Sequence, residues 1–131
     1  MKVCFHHQDF DVDVSSGTSH ALYQWHVLFY AFGVDEVAVI NHTDDPLPYM
    51  GEIVATSYET LEDFVAACDG ATLTFVEEGG SDFRNFDFSE TDWLVFGGTG
   101  GLPRSDVGID TKVALYPREA AAIILAGASW Q

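Results

Sequence analysis

Six short apolar segments recur along the chain, at 3–5, 37–40, 53–55, 72–76, 92–96 and 111–115, and stretches with helical spacing separate or follow them. Leu22, Trp25, Phe29 and Phe32 fall at intervals of three and four, as do Leu61, Phe64, Val65 and Cys68. That spacing places each set on one helical face. An alanine-rich apolar run, 119–130, closes the chain. The helix ends are marked by local chemistry. Residues 15–19, Ser-Ser-Gly-Thr-Ser, offer an N-cap, and Gly33 follows the first apolar face. Thr60 opens Thr-Leu-Glu-Asp, close to a capping box, and Gly70 follows that helix. Pro117 suits a first helical turn. Capping hydroxyls, a terminal glycine and an N-terminal proline each satisfy or remove backbone groups that a helix end leaves unpaired. The order is strand, helix, strand, strand, helix, strand, strand, strand, helix. Short, continuously apolar strands alternating with helices predict a mainly parallel α/β sheet with helices on both faces.

The 131 residues predict one domain, 1–131, large enough to bury a core without staples. A content of 47% hydrophobic and 14% aromatic residues excludes a disordered chain. There is no 18-residue apolar run to span a membrane, and Met1 to His7 lack the apolar core of a signal peptide. Cys4 and Cys68 have no metal-site spacing and fit a reducing cytoplasm as small packing residues. Against five Lys+Arg stand 21 Asp+Glu, a formal net charge of −16. Such a surface repels a polyanion at low salt. Either the acidity is an adaptation to salt, or the partner is not a nucleic acid.

Glycine is concentrated at two strand ends. Gly79-Gly80 follows the strand 72–76, and residues 92–103, DWLVFGGTGGLP, run from a strand into four glycines around one threonine. Ligands of parallel sheets bind outside the carboxyl ends of the strands, and bare backbone lets a ligand approach closely. The loop is not a P-loop, since no Lys-Ser or Lys-Thr follows it, and the positions of Gly98, Gly100 and Arg104 break the dinucleotide fingerprint. No Gly-x-Ser-x-Gly elbow is present. His6, His7, Asp9, Asp11 and Asp13 suggest a metal cluster, but alternation along one strand spreads ligands apart. A solvated strand face or loop, with no metal, is the expectation. His20, His26 and His42 read as packed or surface residues.

DWLVFGGTGGLP resembles the loop of the SPOUT, or α/β-knot, methyltransferases, in which a strand leads through Phe-Gly or Leu-Gly to Gly-Leu-Pro or Gly-Leu-Ser. Residues 30–41, YAFGVDEVAVIN, are similar to the end of that family's first helix and its second strand; residues 111–130, TKVALYPREAAAIILAGASW, are similar to its last strand and C-terminal helix. The resemblance implies a C-terminal trefoil knot, S-adenosylmethionine as cofactor, RNA as methyl acceptor and a homodimer, here through helices 20–32 and 119–130. It implies three cofactor loops: Val76, Glu77, Glu78 and Gly79; then Phe96, Gly97, Gly98, Thr99, Gly100, Gly101 and Leu102; then Val113, Leu115 and Tyr116 after the last strand.

The chain departs from the family where ribose 2′-hydroxyl methylation is concerned. Ser15 to Val27 contains neither the family Asn nor its Arg, and Tyr116-Pro117-Arg118 stands where Ser-x-Asn is expected. Arg118, Glu119 and Arg104 are the remaining candidates for catalytic work, Arg104 as a phosphate contact. An ordinary ion pair is the competing reading for both arginines. Three functions follow: an RNA methyltransferase, a methyltransferase for another acceptor, or a knotted binding protein without methyl transfer.

Overall fold

Alternation along the strands builds two cores, one on each face of a single sheet. The computed structural model describes residues 1–6, 25–40, 51–97, 101–113 and 115–131. Strands β1 (Lys2–His6), β2 (Glu36–Ile40), β3 (Val54–Tyr58), β4 (Leu73–Asp82), β5 (Trp93–Phe96) and β6 (Val107–Gly108) pair in the order β3-β2-β1-β5-β4-β6. Every pairing is parallel. Successive strand side chains point to opposite faces. Val3, Phe5, Val37, Val39, Leu94 and Phe96 therefore enter one core, and Cys4, Ala38, Ile40, Trp93 and Val95 the other.

Helices close both cores, as the alternating pattern predicts. Helix α1 (25–31) contributes Trp25 and Phe29 to the first, and α3 (Pro117–Ser129) contributes Ala121, Ile124 and Leu125. Trp25 stacks on Phe5 with ring centroids 4.7 Å apart and meets Phe96 edge-on at 5.9 Å. Helix α2 (Leu61–Ala67) covers the second core with Phe64, edge-on to Trp93 at 5.1 Å. The ends form as the local chemistry dictates. Thr60 Oγ1 accepts from the Asp63 N–H at 3.1 Å, Gly33 takes φ +68 after α1, and Pro117 opens α3. The part of the predicted first helix before residue 25 lies outside the described residues, as do His7, Asp9, Asp11, Asp13, His20 and His42.

The sixth strand differs from the expectation. It is Val107–Gly108, not 111–115. Asp106 explains the shift. Its N–H donates to the Phe75 carbonyl at 2.9 Å, and its carboxylate accepts from the Phe75 N–H at 2.8 Å. The residue thus takes a rung on the free edge of β4 and sets Val107 in the sheet. Thr111, Lys112 and Val113 are not in a strand and are exposed. Strand β4 also runs further than 72–76, but its register breaks there. Both Val76 and Ser81 face Val107, so residues 77–80 leave the ladder between them.

Candidate functional site

The carboxyl ends of β1, β4 and β5 lie side by side, because β5 pairs with both neighbours in parallel. His6 ends β1 and is buried. Its Nδ1 donates to the Phe96 carbonyl at 3.0 Å. Phe96 is buried and ends β5; Gly97 follows it into the glycine loop. Leu102 folds back over Gly97, where an added Cβ would stand 3.3 Å from Leu102 Cγ.

Glu77 joins the first predicted loop to the second. A Cβ placed on Gly97 or Gly101 would lie 4.0 or 3.5 Å from Glu77 Oε1. One carboxylate therefore faces bare backbone on both flanks of the glycine loop. Gly101, at φ +73, adopts a left-handed conformation that suits glycine. Behind this carboxylate the backbone is tightly seated. The Ser105 hydroxyl donates to the Glu77 carbonyl at 2.7 Å. Gly108 packs so closely on that carbonyl that a Cβ would come within 2.4 Å of it, and a Cβ on Gly80 would stand 2.7 Å from backbone atoms of Val107. The bulge 77–80 is thus anchored at its base against β6, while Glu78 and Gly79 are exposed.

The structure places the other predicted residues unevenly. Val76 is buried and Leu115 half-buried, whereas Val113 and Tyr116 are 72% and 80% exposed. Gly98, Thr99 and Gly100 lie outside the described residues. Arg104 makes structural contacts. Its guanidinium binds Asp106 at 3.0 Å, donates to the Leu73 carbonyl at 3.0 Å and stacks 4.4 Å over the Phe75 ring. Leu73 begins β4, so these contacts hold Arg104 towards the amino end of that strand, away from the glycine loop. Arg118 and Glu119 form an ion pair at 3.5 Å in the first turn of α3. With Val27, Leu28 and Ala122 they line a groove of about 340 Å³ between α1 and α3. Among the described residues no group of three or more His, Cys, Asp or Glu is placed to hold a metal. Nor is any helix among them long and apolar enough to cross a membrane.

The roles of His6 and Ser105 go beyond the sequence reading. The signal for His6 was its place directly after three apolar strand residues, which makes it part of a buried strand. Nothing local marks Ser105, whose partner lies 28 residues away.

No protein-family model matches the sequence, and no curated protein does. Solved structures match over almost the whole chain. One is the SpoU methyltransferase AviRb from Streptomyces viridochromogenes in complex with AdoMet, with a TM-score of 0.74 at 18% identity over 99% of this chain and 57% of that one. The fold is that of the SpoU methyltransferases. An rRNA methyltransferase from Sinorhizobium meliloti matches with a TM-score of 0.70 at 19% identity, over 97% of this chain and 54% of the other. A structure concerned with 2-OH methylation of C/U34 on tRNA gives 0.71 at 16% identity, over 99% of this chain and 89% of the other. The chain thus spans a little over half the length of AviRb and of the Sinorhizobium enzyme. In this fold residues 77–80, Gly97, Gly101 and Leu102 sit where the parallel sheet ends, the position at which such sheets bind ligands.

Proposed function

We propose that the chain is an S-adenosylmethionine-dependent methyltransferase of the SPOUT class, closed by a C-terminal trefoil knot, acting on an RNA ribose 2′-hydroxyl. The observation that carries this reading is the Glu77 carboxylate held against Gly97 and Gly101 at the carboxyl edge of the sheet. A cationic cofactor with an adenosine moiety needs an anionic group beside backbone amides and carbonyls that no side chain covers. This edge offers both. S-adenosylmethionine, when bound, supplies an electrophilic methyl group.

The chain's own residues do the rest. Val76, Glu77, Glu78 and Gly79 form one wall, Glu77 complementing the positive charge of the cofactor. Phe96 to Leu102 offer backbone hydrogen-bonding groups. Val113, Leu115 and Tyr116 supply an apolar cover; the exposure of Val113 and Tyr116 leaves them available for it. Arg118 and Glu119 lie in the first turn of α3, after Tyr116 and Pro117, where a base and a cation can orient an acceptor hydroxyl. Most of the rate advantage in such a transfer comes from alignment, with proton removal assisting. The pairing of two copies through α1 and α3 belongs to the same reading. Val27, Tyr30 and Ile123 expose apolar surface on those helices at 50%, 54% and 37%. A reducing cytoplasm is the setting that suits the two free thiols.

A second reading, a binding protein without methyl transfer, is favoured by one observation: Arg104 is engaged by Asp106, Leu73 and Phe75 rather than presented to an acceptor. Incubation with methyl-labelled S-adenosylmethionine and total RNA separates the two. Label recovered as a 2′-O-methylnucleoside supports the enzyme. Cofactor binding without transfer to RNA supports the second reading.

A further inference from the structure

His6 and Thr74 are the buried polar or charged residues among those described, and His6 is the one at the ligand edge of the sheet. The β1–β5 ladder ends at Cys4–Val95. Beyond it the His6 ring ties the two strands, through Nδ1 and the Phe96 carbonyl at 3.0 Å. A carbonyl only accepts, so Nδ1 carries the hydrogen. The bond is buried, and it falls on the last peptide before Gly97. Without it, the Phe96–Gly97 peptide would lie beyond the last rung of the β1–β5 ladder with no tie to β1.

We propose that His6 is the positioning residue of the glycine loop: its Nδ1–H fixes the Phe96–Gly97 peptide, and through it the backbone that faces Glu77. The ring acts on the cofactor only through this carbonyl. The consequence for affinity rests on the cofactor reading above; the consequence for loop order does not. A buried hydrogen bond that sets the start of a loop lowers the entropy lost when a ligand orders that loop. Removing the donor while keeping the ring also leaves the Phe96 carbonyl without its partner.

Asparagine places an amide nitrogen at the same distance from Cβ as Nδ1, so His6→Asn keeps a donor that His6→Phe lacks. Both variants and the wild type are compared by amide hydrogen exchange over 96–102 and by S-adenosylmethionine titration. His6→Phe is expected to speed exchange over 97–102 and to weaken binding, each about tenfold, and His6→Asn to restore most of both. Unchanged exchange in His6→Phe, or an Asn variant no better than Phe, overturns the proposal. Should the wild type bind no S-adenosylmethionine, the cofactor reading fails while the exchange data still decide the role of His6. The ring nitrogen shifts of the wild type give a test that needs no variant. A ring protonated at Nδ1 is expected; a neutral ring protonated only at Nε2 refutes the bond.

Discussion

Gly108→Ala tests whether the bulge 77–80 is seated as described. The added Cβ would lie 2.4 Å from the Glu77 carbonyl oxygen and 3.3 Å from the Gly80 nitrogen. Ordinary contacts of carbon sit at about 3.5 Å, so two backbone segments must part by about 1 Å. No rotamer change relieves a clash between main-chain atoms. Overpacking of this kind costs about 1–3 kcal/mol. The movement also pulls on the Ser105–Glu77 bond at 2.7 Å and on the Ser81 N–H to Asp106 carbonyl bond at 3.1 Å, each worth about 1 kcal/mol. A loss of about 3 kcal/mol is expected, or about 10 °C in Tm for a chain of this size. Urea denaturation and scanning calorimetry measure it. Gly79→Ala is the control. Gly79 has φ +91 but open space around its Cβ direction, so only backbone strain of about 1 kcal/mol applies. A Gly108→Ala variant within about 0.5 kcal/mol of the wild type, the scatter of an ordinary surface change, or one no worse than Gly79→Ala, would refute the packing argument.

Other consequences can be checked alongside it. Arg104→Met is expected to cost about 2 kcal/mol, from a stacked cation and a charged hydrogen bond to Leu73, while leaving S-adenosylmethionine affinity unchanged; a large loss of affinity at unchanged stability would reassign Arg104 to the site. Lys2, Arg84, Arg104 and Arg118 each lie within 4.0 Å of a carboxylate, so RNA affinity measured by fluorescence anisotropy is expected to rise with potassium chloride as repulsion is screened. The steep fall with salt usual for basic proteins would contradict that. Hydrogen bonds from the Arg84 side chain and backbone lower the Asp82 carboxyl from 3.8 to about 2. A depressed carboxylate stabilises the fold above its unfolded value and loses that effect as pH falls through the folded one. The stability difference between wild type and Asp82→Asn should therefore shrink between about pH 4 and pH 2, and a constant difference in acid denaturation curves would argue against the pair. Burial pushes the Cys4 thiol far above its ordinary range, so mass spectrometry should find Cys4 unalkylated by iodoacetamide until the chain unfolds.

Much of the fold is legible because its signals are local. Thr60, Gly33 and Pro117 end helices through bonds and backbone angles set within a few residues, and the apolar strands need only their period. The sixth strand is misplaced because its cause is not local. Val113 and Leu115 look like a strand, but the edge of β4 is claimed by Asp106, an acid acting on Phe75, 31 residues away in sequence. The site divides in the same way. Glycines at strand ends announce the loop, and Glu77 follows from its place after an apolar strand. That His6 reaches across 90 residues to Phe96 depends on β1 lying beside β5, an order the sequence leaves open. Arg104 has two sequence readings, phosphate contact or ion pair, and its contacts with Asp106, Leu73 and Phe75 fit the second.

The central claim is that Glu77 and the glycine loop hold S-adenosylmethionine at the carboxyl edge of the sheet. Calorimetric titration of the folded chain with S-adenosylmethionine, at low and high salt, tests it most directly, with Glu77→Gln and Gly101→Val in parallel. The account predicts saturable binding by the wild type, weakened by Glu77→Gln and abolished by Gly101→Val, whose side chain would intrude beside the Glu77 carboxylate. No binding at either salt by a folded wild type, or equal binding by all three, would contradict it.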